Sequence, residues 1–254
     1  MEKSKRFWLA PIMVLSLYVF QQFAARTGGF VAGLFSYDAV DPYGIFARLS
    51  VGHFVQMIIA LVAIGILAKA KNLDFGFRLG DVKVGLDHTL NFSIIVLIYV
   101  IVVRVVNIIY LNFPAPNFPL NLVNVAGTLG FQLFLSSTEE ILFRALPITL
   151  LVCSLGKSKS ITINKRIAGV SSFDVSQETV IAAVLFTLAH IGWTINPFTI
   201  THLFIHQLII SFVFGIFYGV AYQKSKSVIY PMIMHGISNF IIVGERYISS
   251  IFFG

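Results

Sequence analysis

Hydrophobic residues in this chain come in long runs with few polar interruptions, and the short stretches between them hold most of the Lys and Arg residues. A bilayer-spanning helix needs roughly 17–25 predominantly apolar residues. Runs of this kind predict seven helices: Phe7 to Phe23, Val51 to Ala68, His88 to Leu111, Leu122 to Val152, Glu178 to Gly192, Thr201 to Tyr222 and Val228 to Val243. The fourth run is longer than a membrane requires, and the fifth is short. Between the first two, Thr27 to Ser50 is weakly apolar with scattered Gly and acidic residues, leaving room for a half-helix or an eighth span. Pro114, Pro116 and Pro119 separate the third run from the fourth, because proline lacks an N–H and disfavours helix in the residue before it. The expected fold class is all-α: a polytopic transmembrane helix bundle of seven to eight helices. Residues 1–120 supply the N-terminal spans and residues 121–254 the core of one integrated bundle.

Composition agrees with this reading. Of 254 residues 57% are hydrophobic and 11% charged, too little charge to cover the surface of a soluble domain. The net charge of +7 would suggest nucleic acid if it lay on one soluble face. It lies between apolar runs instead, so the expected partners are membrane lipids, with no nucleic acid. A cytoplasmic N-terminus puts Lys3, Lys5, Arg6, Lys69, Lys71, Arg78, Lys83, Lys157, Lys159, Lys165, Arg166, Lys224 and Lys226 inside. Arg26, Arg48 and Arg246 fall outside, and Arg104 and Arg144 fall within helices. This asymmetry predicts a cytoplasmic N-terminus and an external C-terminus. The basic N-terminal stretch and its apolar run could also be a secretory signal, but no small-x-small site follows, which favours an uncleaved first helix. Cys153, the single cysteine, excludes an intrachain disulfide and reads as a small apolar residue.

Charge inside the apolar runs changes the picture most. Glu139, Glu140 and Arg144 interrupt the fourth run, His190 the fifth, and His235 with Asn239 the seventh. Ionised groups at bilayer depth cost several kcal/mol each and mark partners, pathways or chemistry. Glu140 and Arg144 stand at i and i+4, the spacing of an ion pair, while Glu139 points about 100° away and is free to act as a base. His235 and Asn239 share the i, i+4 relation, and Phe186, four residues before His190, should cover one side of that ring. At about 1.5 Å per residue, Glu139, His190 and Asn239 lie roughly 16–20 Å from the cytoplasmic ends and His235 roughly 10 Å. Taken singly, each histidine could be a satisfied core residue and the Glu–Arg pair a structural tie; together they are harder to explain without a site. Arg104 has no helical partner, so it either snorkels or pairs with a carboxylate elsewhere in the bundle. His202 and His206 offer i, i+4 metal capture or an interfacial structural role, but without the glutamate of a zinc-protease H-E-x-x-H.

The chain has no G-x-S-x-G, G-x-G-D, Walker or G-x-G-x-x-G segment. What remains is a carboxylate, imidazoles and an amide, which can activate water and stabilise an oxyanion. E-E-x-x-x-R at Glu139 to Arg144, F-x-x-x-H at Phe186 to His190 and H-x-x-x-N at His235 to Asn239, in that order, resemble the CAAX protease and bacteriocin-processing (CPBP, or Abi) family, to which the Ras-converting CAAX endopeptidases belong. The resemblance covers roughly Gly127 to Phe240. It implies an all-helical, typically eight-helix membrane core and an intramembrane endopeptidase. Glu139 and His190 would activate water, His235 and Asn239 would stabilise the oxyanion, and Glu140 and Arg144 would support them, with Arg144 available to a substrate carboxylate. Glu139 is expected to be ionised or to share its proton with His190, in a cavity wetted from the cytoplasmic side. Zinc is possible, since members of the family have been described as metalloproteases. Asparagine is a poor zinc ligand, however, and no cofactor is the favoured expectation. The implied substrate is a membrane-associated peptide, prenylated or leader-bearing, and a prokaryotic plasma membrane is the favoured location. A non-catalytic scaffold or immunity factor, and a transporter with Glu139 and Glu140 as a proton relay, are the competing classes.

Overall fold

A computed structural model describes residues 2–111, 119–156, 160–163 and 173–253. Pro114, Pro116, Lys157, Lys159, Lys165 and Arg166 lie outside the described residues. The helices are α1 (Glu2–Ala32), α2 (Ala47–Lys71), α3 (Val82–Val106, continued by a wide π turn Asn107–Leu111), α4 (Leu122–Gly130), α5 (Leu146–Leu155), α6 (Gln177–Ala189), α7 (Ile205–Ser225) and α8 (Ile229–Phe253). Since α4 and α5 are one interrupted helix, these make seven helical segments, the all-α bundle expected. Two small antiparallel pairs, β1 (Ser160–Ile163) with β2 (Phe173–Ser176) and β3 (Gly192–Thr194) with β4 (Thr199–His202), join successive segments.

Length and apolarity suffice for a membrane crossing in Leu9–Ala32, Ala47–Lys71, Val82–Ile109 and Ile205–Ser225. Ile12, Leu15 and Val19 on α1, Val62 and Ile66 on α2, and Leu90, Ile98 and Ile101 on α3 are all exposed. In water such patches would drive association; in lipid they meet their own kind. The chain is an integral membrane protein.

Between α1 and α2 there is no eighth span. Helix α1 absorbs Thr27 to Ala32, α2 begins at Ala47, and residues 33–46 form a turn-rich link. Asp41 organises this link: its buried carboxylate accepts N–H bonds from Ile45 (3.0 Å), Phe46 (2.7 Å) and Ala47 (2.7 Å) at the start of α2. Burial pushes the Asp41 carboxyl up, but these donors and the Gly44 N–H outweigh it and hold it below the ordinary carboxylate range. Elsewhere side chains cap helices in the usual way, with Asp81 receiving Val84 N–H, Asn121 receiving Asn124 N–H and Ser176 receiving Thr179 N–H.

Two apolar clusters carry the packing. One joins α1 and α2 to residues 141–151 and α6 through Leu17, Ala24, Ile64, Leu142, Leu146, Leu185 and Phe186. The other joins α3, α7 and α8 through Phe92, Val96, Phe214, Tyr218 and Met234. Phe186 from the first and Phe214 and Tyr218 from the second line one cavity, so the clusters meet there. Gly236 lets α8 approach: a Cβ at that position would lie 2.3 Å from the Leu133 carbonyl oxygen. Small residues at helix contacts are what allow such approach in membranes.

Candidate active site

The interrupted helix between α4 and α5 builds the site. From Phe131 the backbone widens into a π turn to Leu135, tightens into a 3₁₀ turn over Ser136–Thr138, and widens again over Ile141–Ala145. Irregular turns leave backbone carbonyls without regular partners, and three successive hydroxyls occupy them. Ser136 donates to Gln132 O (2.6 Å), Ser137 to Phe134 O (2.8 Å) and Thr138 to Leu135 O (2.7 Å). Wide turns of this kind recur at functional sites. Here they flank Glu139 and Glu140.

The two carboxylates diverge as their adjacency requires. Glu139 faces the cavity. Glu140 is fully buried, 3.1 Å from Arg144 Nε and 2.7 Å from His235 Nδ1. Arg144 is likewise 0% exposed, with its guanidinium carbon 4.2 Å from the Phe186 ring centre and 5.2 Å from that of Tyr218. The i, i+4 ion pair therefore forms, with Arg144 buried against the Phe186 and Tyr218 ring faces.

Two imidazoles flank Phe186. His190 ends α6, and its Nδ1 donates to the Phe186 carbonyl (2.8 Å), which leaves Nε2 for the cavity. The Phe186 ring meets His190 edge-on at 4.7 Å, as the spacing predicted, and His235 at 5.9 Å. Tyr218 stacks on the other side of His235 at 5.3 Å. Because the Glu140 carboxylate accepts from His235 Nδ1, the opposite nitrogen of that ring is left for the cavity. One turn on, Asn239 Nδ2 donates to Ser136 Oγ (3.1 Å) and retains a second N–H.

Glu139, His190, His235 and Asn239 all line one cavity of about 680 Å³. The two-turn depth offset of His235 is thus absent, since its ring reaches Glu140 directly. Sequence reasoning missed another member. His53 on α2 also lines the cavity, and its Nε2 lies 2.9 Å from Glu139 Oε1. The imidazole at hydrogen-bond distance from Glu139 among the described contacts is that of His53. The signal was present, for His53 interrupts an apolar run just as His190 does.

Other expectations resolve differently. His202 lies on β4 and His206 on α7, so they do not share a helix face. His202 pairs with Gln207 (2.9 Å) and His206 with the Tyr99 hydroxyl (2.8 Å), and both line the cavity. Arg104 pairs with Glu245 of α8, the carboxylate elsewhere in the bundle. Among the described residues no group of three or more His, Cys, Asp and Glu side chains is arranged to hold a metal ion. A smaller cavity of about 360 Å³ beside Asp74, Arg78, Cys153 and Tyr222 contains no histidine.

The cavity lining includes Leu49 near the start of α2, His206 near the start of α7, and Arg246 toward the end of α8. Lys69 and Lys71 near the end of α2, Lys83 at the start of α3 and Lys224 at the end of α7 mark the opposite end of the bundle. If the N-terminus is cytoplasmic, the lining residues Leu49, His206 and Arg246 lie toward the external end of the bundle.

Polar groups thus gather in one cavity inside an apolar helical bundle. Residues 121–241, just under half of the chain, match the family Type II CAAX prenyl endopeptidase Rce1-like, so this segment is similar to that family of membrane peptidases. The matched segment contains every predicted site residue; His53 lies outside it. Comparison with curated proteins and with solved structures finds no match.

Proposed function

We propose that the protein is an intramembrane endopeptidase that hydrolyses a peptide bond of a membrane-anchored peptide, prenylated or leader-bearing. The observation that carries this reading is the convergence of Glu139, His190, His235 and Asn239 on one cavity within a segment matching a CAAX peptidase family. Glu139 takes a proton from water as the water oxygen bonds to the scissile carbonyl carbon and the C=O π pair moves onto its oxygen. The His235 ring, held through Nδ1 by Glu140, and the Asn239 amide donate to that oxyanion. Collapse reforms the carbonyl and breaks the C–N bond, and the proton held by Glu139 passes to the leaving nitrogen, directly or through His190 Nε2.

The reaction is metal-free in this proposal. Glu139 Oε1 is engaged by His53, His235 Nδ1 is engaged by Glu140, and an amide is a weak zinc ligand. The orientation follows the basic loops, with the N-terminus in the cytoplasm and the mouth on the opposite face. The location is a prokaryotic plasma membrane.

Comparing membrane peptides from cells with and without the protein names the substrate. Purified Glu139→Ala and His190→Ala variants should fold and fail to cleave it. Cleavage unaffected by both substitutions rejects the proposal, and loss of activity to a chelator with specific recovery by zinc rejects its metal-free form.

A further inference from the structure

His53 sits on α2, outside the family-matched segment, and three contacts fix its ring. Nδ1 is 2.9 Å from the Leu49 carbonyl, Nε2 is 2.9 Å from Glu139 Oε1, and the ring meets Phe131 edge-on at 5.0 Å. A carbonyl only accepts, so Nδ1 must carry a hydrogen. A second hydrogen must then lie between Nε2 and Oε1, because a lone pair facing a carboxylate at that distance would be repelled. The pair therefore holds one proton more than a neutral imidazole beside a carboxylate: it is either imidazolium and carboxylate, or imidazole and carboxylic acid.

We propose that His53 is the positioning residue of Glu139, a part of the hydrolytic centre that α2 supplies. It occupies Oε1 and so fixes the carboxylate, which leaves Oε2 for the water. It also balances the charge of a carboxylate placed among apolar helices, and it stores the proton that decides whether Glu139 can act as a base. The other groups facing Glu139 are His190 at the end of α6, His235 on α8 and Tyr218 on α7, with Glu140 and Arg144 on its own segment. Among the described residues, His53 is the group hydrogen-bonded to the Glu139 side chain. This inference rests on the endopeptidase reading.

The test uses the full chain in proteoliposomes with an internally quenched farnesylated peptide, comparing wild type, Glu139→Gln, His53→Ala and His53→Gln. His53→Ala should lower kcat by about 10²-fold, the scale of a misplaced catalytic group, with KM nearly unchanged. His53→Gln, whose amide N–H can reach the same oxygen, should recover to within about tenfold of wild type. Its acid limb in the pH–rate profile should be displaced, because an amide stores no proton. An inactive Glu139→Gln beside a His53→Ala variant with wild-type kcat and pH profile overturns the role of His53 and leaves the endopeptidase reading intact.

Infrared spectroscopy judges the pair without turnover, and so decides the matter if the probe is not cleaved or Glu139→Gln stays active. The carboxyl band lost in Glu139→Gln should titrate with a midpoint displaced by about one pH unit or more in His53→Gln. An unmoved midpoint overturns the proposal.

Discussion

Gly236 is the point where packing and chemistry are most tightly joined, and Gly236→Ala turns that into a measurement. The added methyl would lie 2.3 Å from the Leu133 carbonyl oxygen, and real contacts of this kind stay beyond 3.0 Å, so α8 or the interrupted helix must give way by at least about 0.7 Å. The obstacle is backbone, which a rotamer change cannot relieve. On α8 the neighbours of Gly236 are the donors of the site: His235 bonds Glu140 at 2.7 Å and Asn239 bonds Ser136 at 3.1 Å. Overpacking of this kind costs about 1–3 kcal/mol of stability. A shift approaching 1 Å in a reacting group costs about 10²-fold in rate. Turnover of a membrane peptide should therefore fall by about two orders of magnitude while the variant remains folded in detergent. Gly244→Ala, on the same helix with nothing within 4 Å of the added carbon, should behave as wild type. If Gly236→Ala turns over at the wild-type rate, the close approach of α8 is not what positions His235 and Asn239.

Further perturbations reach other parts of the account. Arg144→Ala removes one of the two partners of the buried Glu140 carboxylate, leaving His235, and should cost up to about 3–5 kcal/mol in thermal unfolding, whereas an exposed surface ion pair would register below about 1 kcal/mol. Asp41 has a folded-state pKa held below its unfolded value, so its stabilisation is complete above the ordinary carboxylate range and is lost as pH falls through the folded value. Asp41→Asn should remove that part of the acid sensitivity, and an unchanged acid unfolding curve would contradict it. With Cys153→Ser as background, a cysteine at Leu203 should react with an impermeant thiol reagent added outside cells and one at Lys71 should not; the reverse pattern would overturn the proposed orientation.

The apolar runs were legible because bilayer thickness imposes a length that soluble folds do not share. Glu140 with Arg144, and His235 with Asn239, were legible because each pair lies one helical turn apart in an apolar background. The partnership of Glu139 with His53 was not, since 86 residues separate them and no local spacing joins them. Nor does periodicity reveal the wide turns around Glu139, which depend on where the hydroxyls of Ser136, Ser137 and Thr138 fall relative to freed carbonyls. Residues 33–46 resembled part of a span by composition, yet Asp41 collects the N–H groups that begin α2 and fixes a link there. The sixth apolar run was placed too early: Thr199 to His202, rich in β-branched residues, form a strand paired with Gly192 to Thr194, and the helix starts only at Ile205.

The central claim is that Glu139 delivers water to a peptide bond inside the bundle. Purified protein incubated with a membrane-anchored peptide in ¹⁸O-labelled water, with the products analysed by mass spectrometry, tests it most directly. One ¹⁸O atom in the newly formed carboxyl terminus, absent with Glu139→Gln, is the predicted result. Unchanged labelled product from the Glu139→Gln protein, or an intact peptide with the wild-type chain, would contradict it.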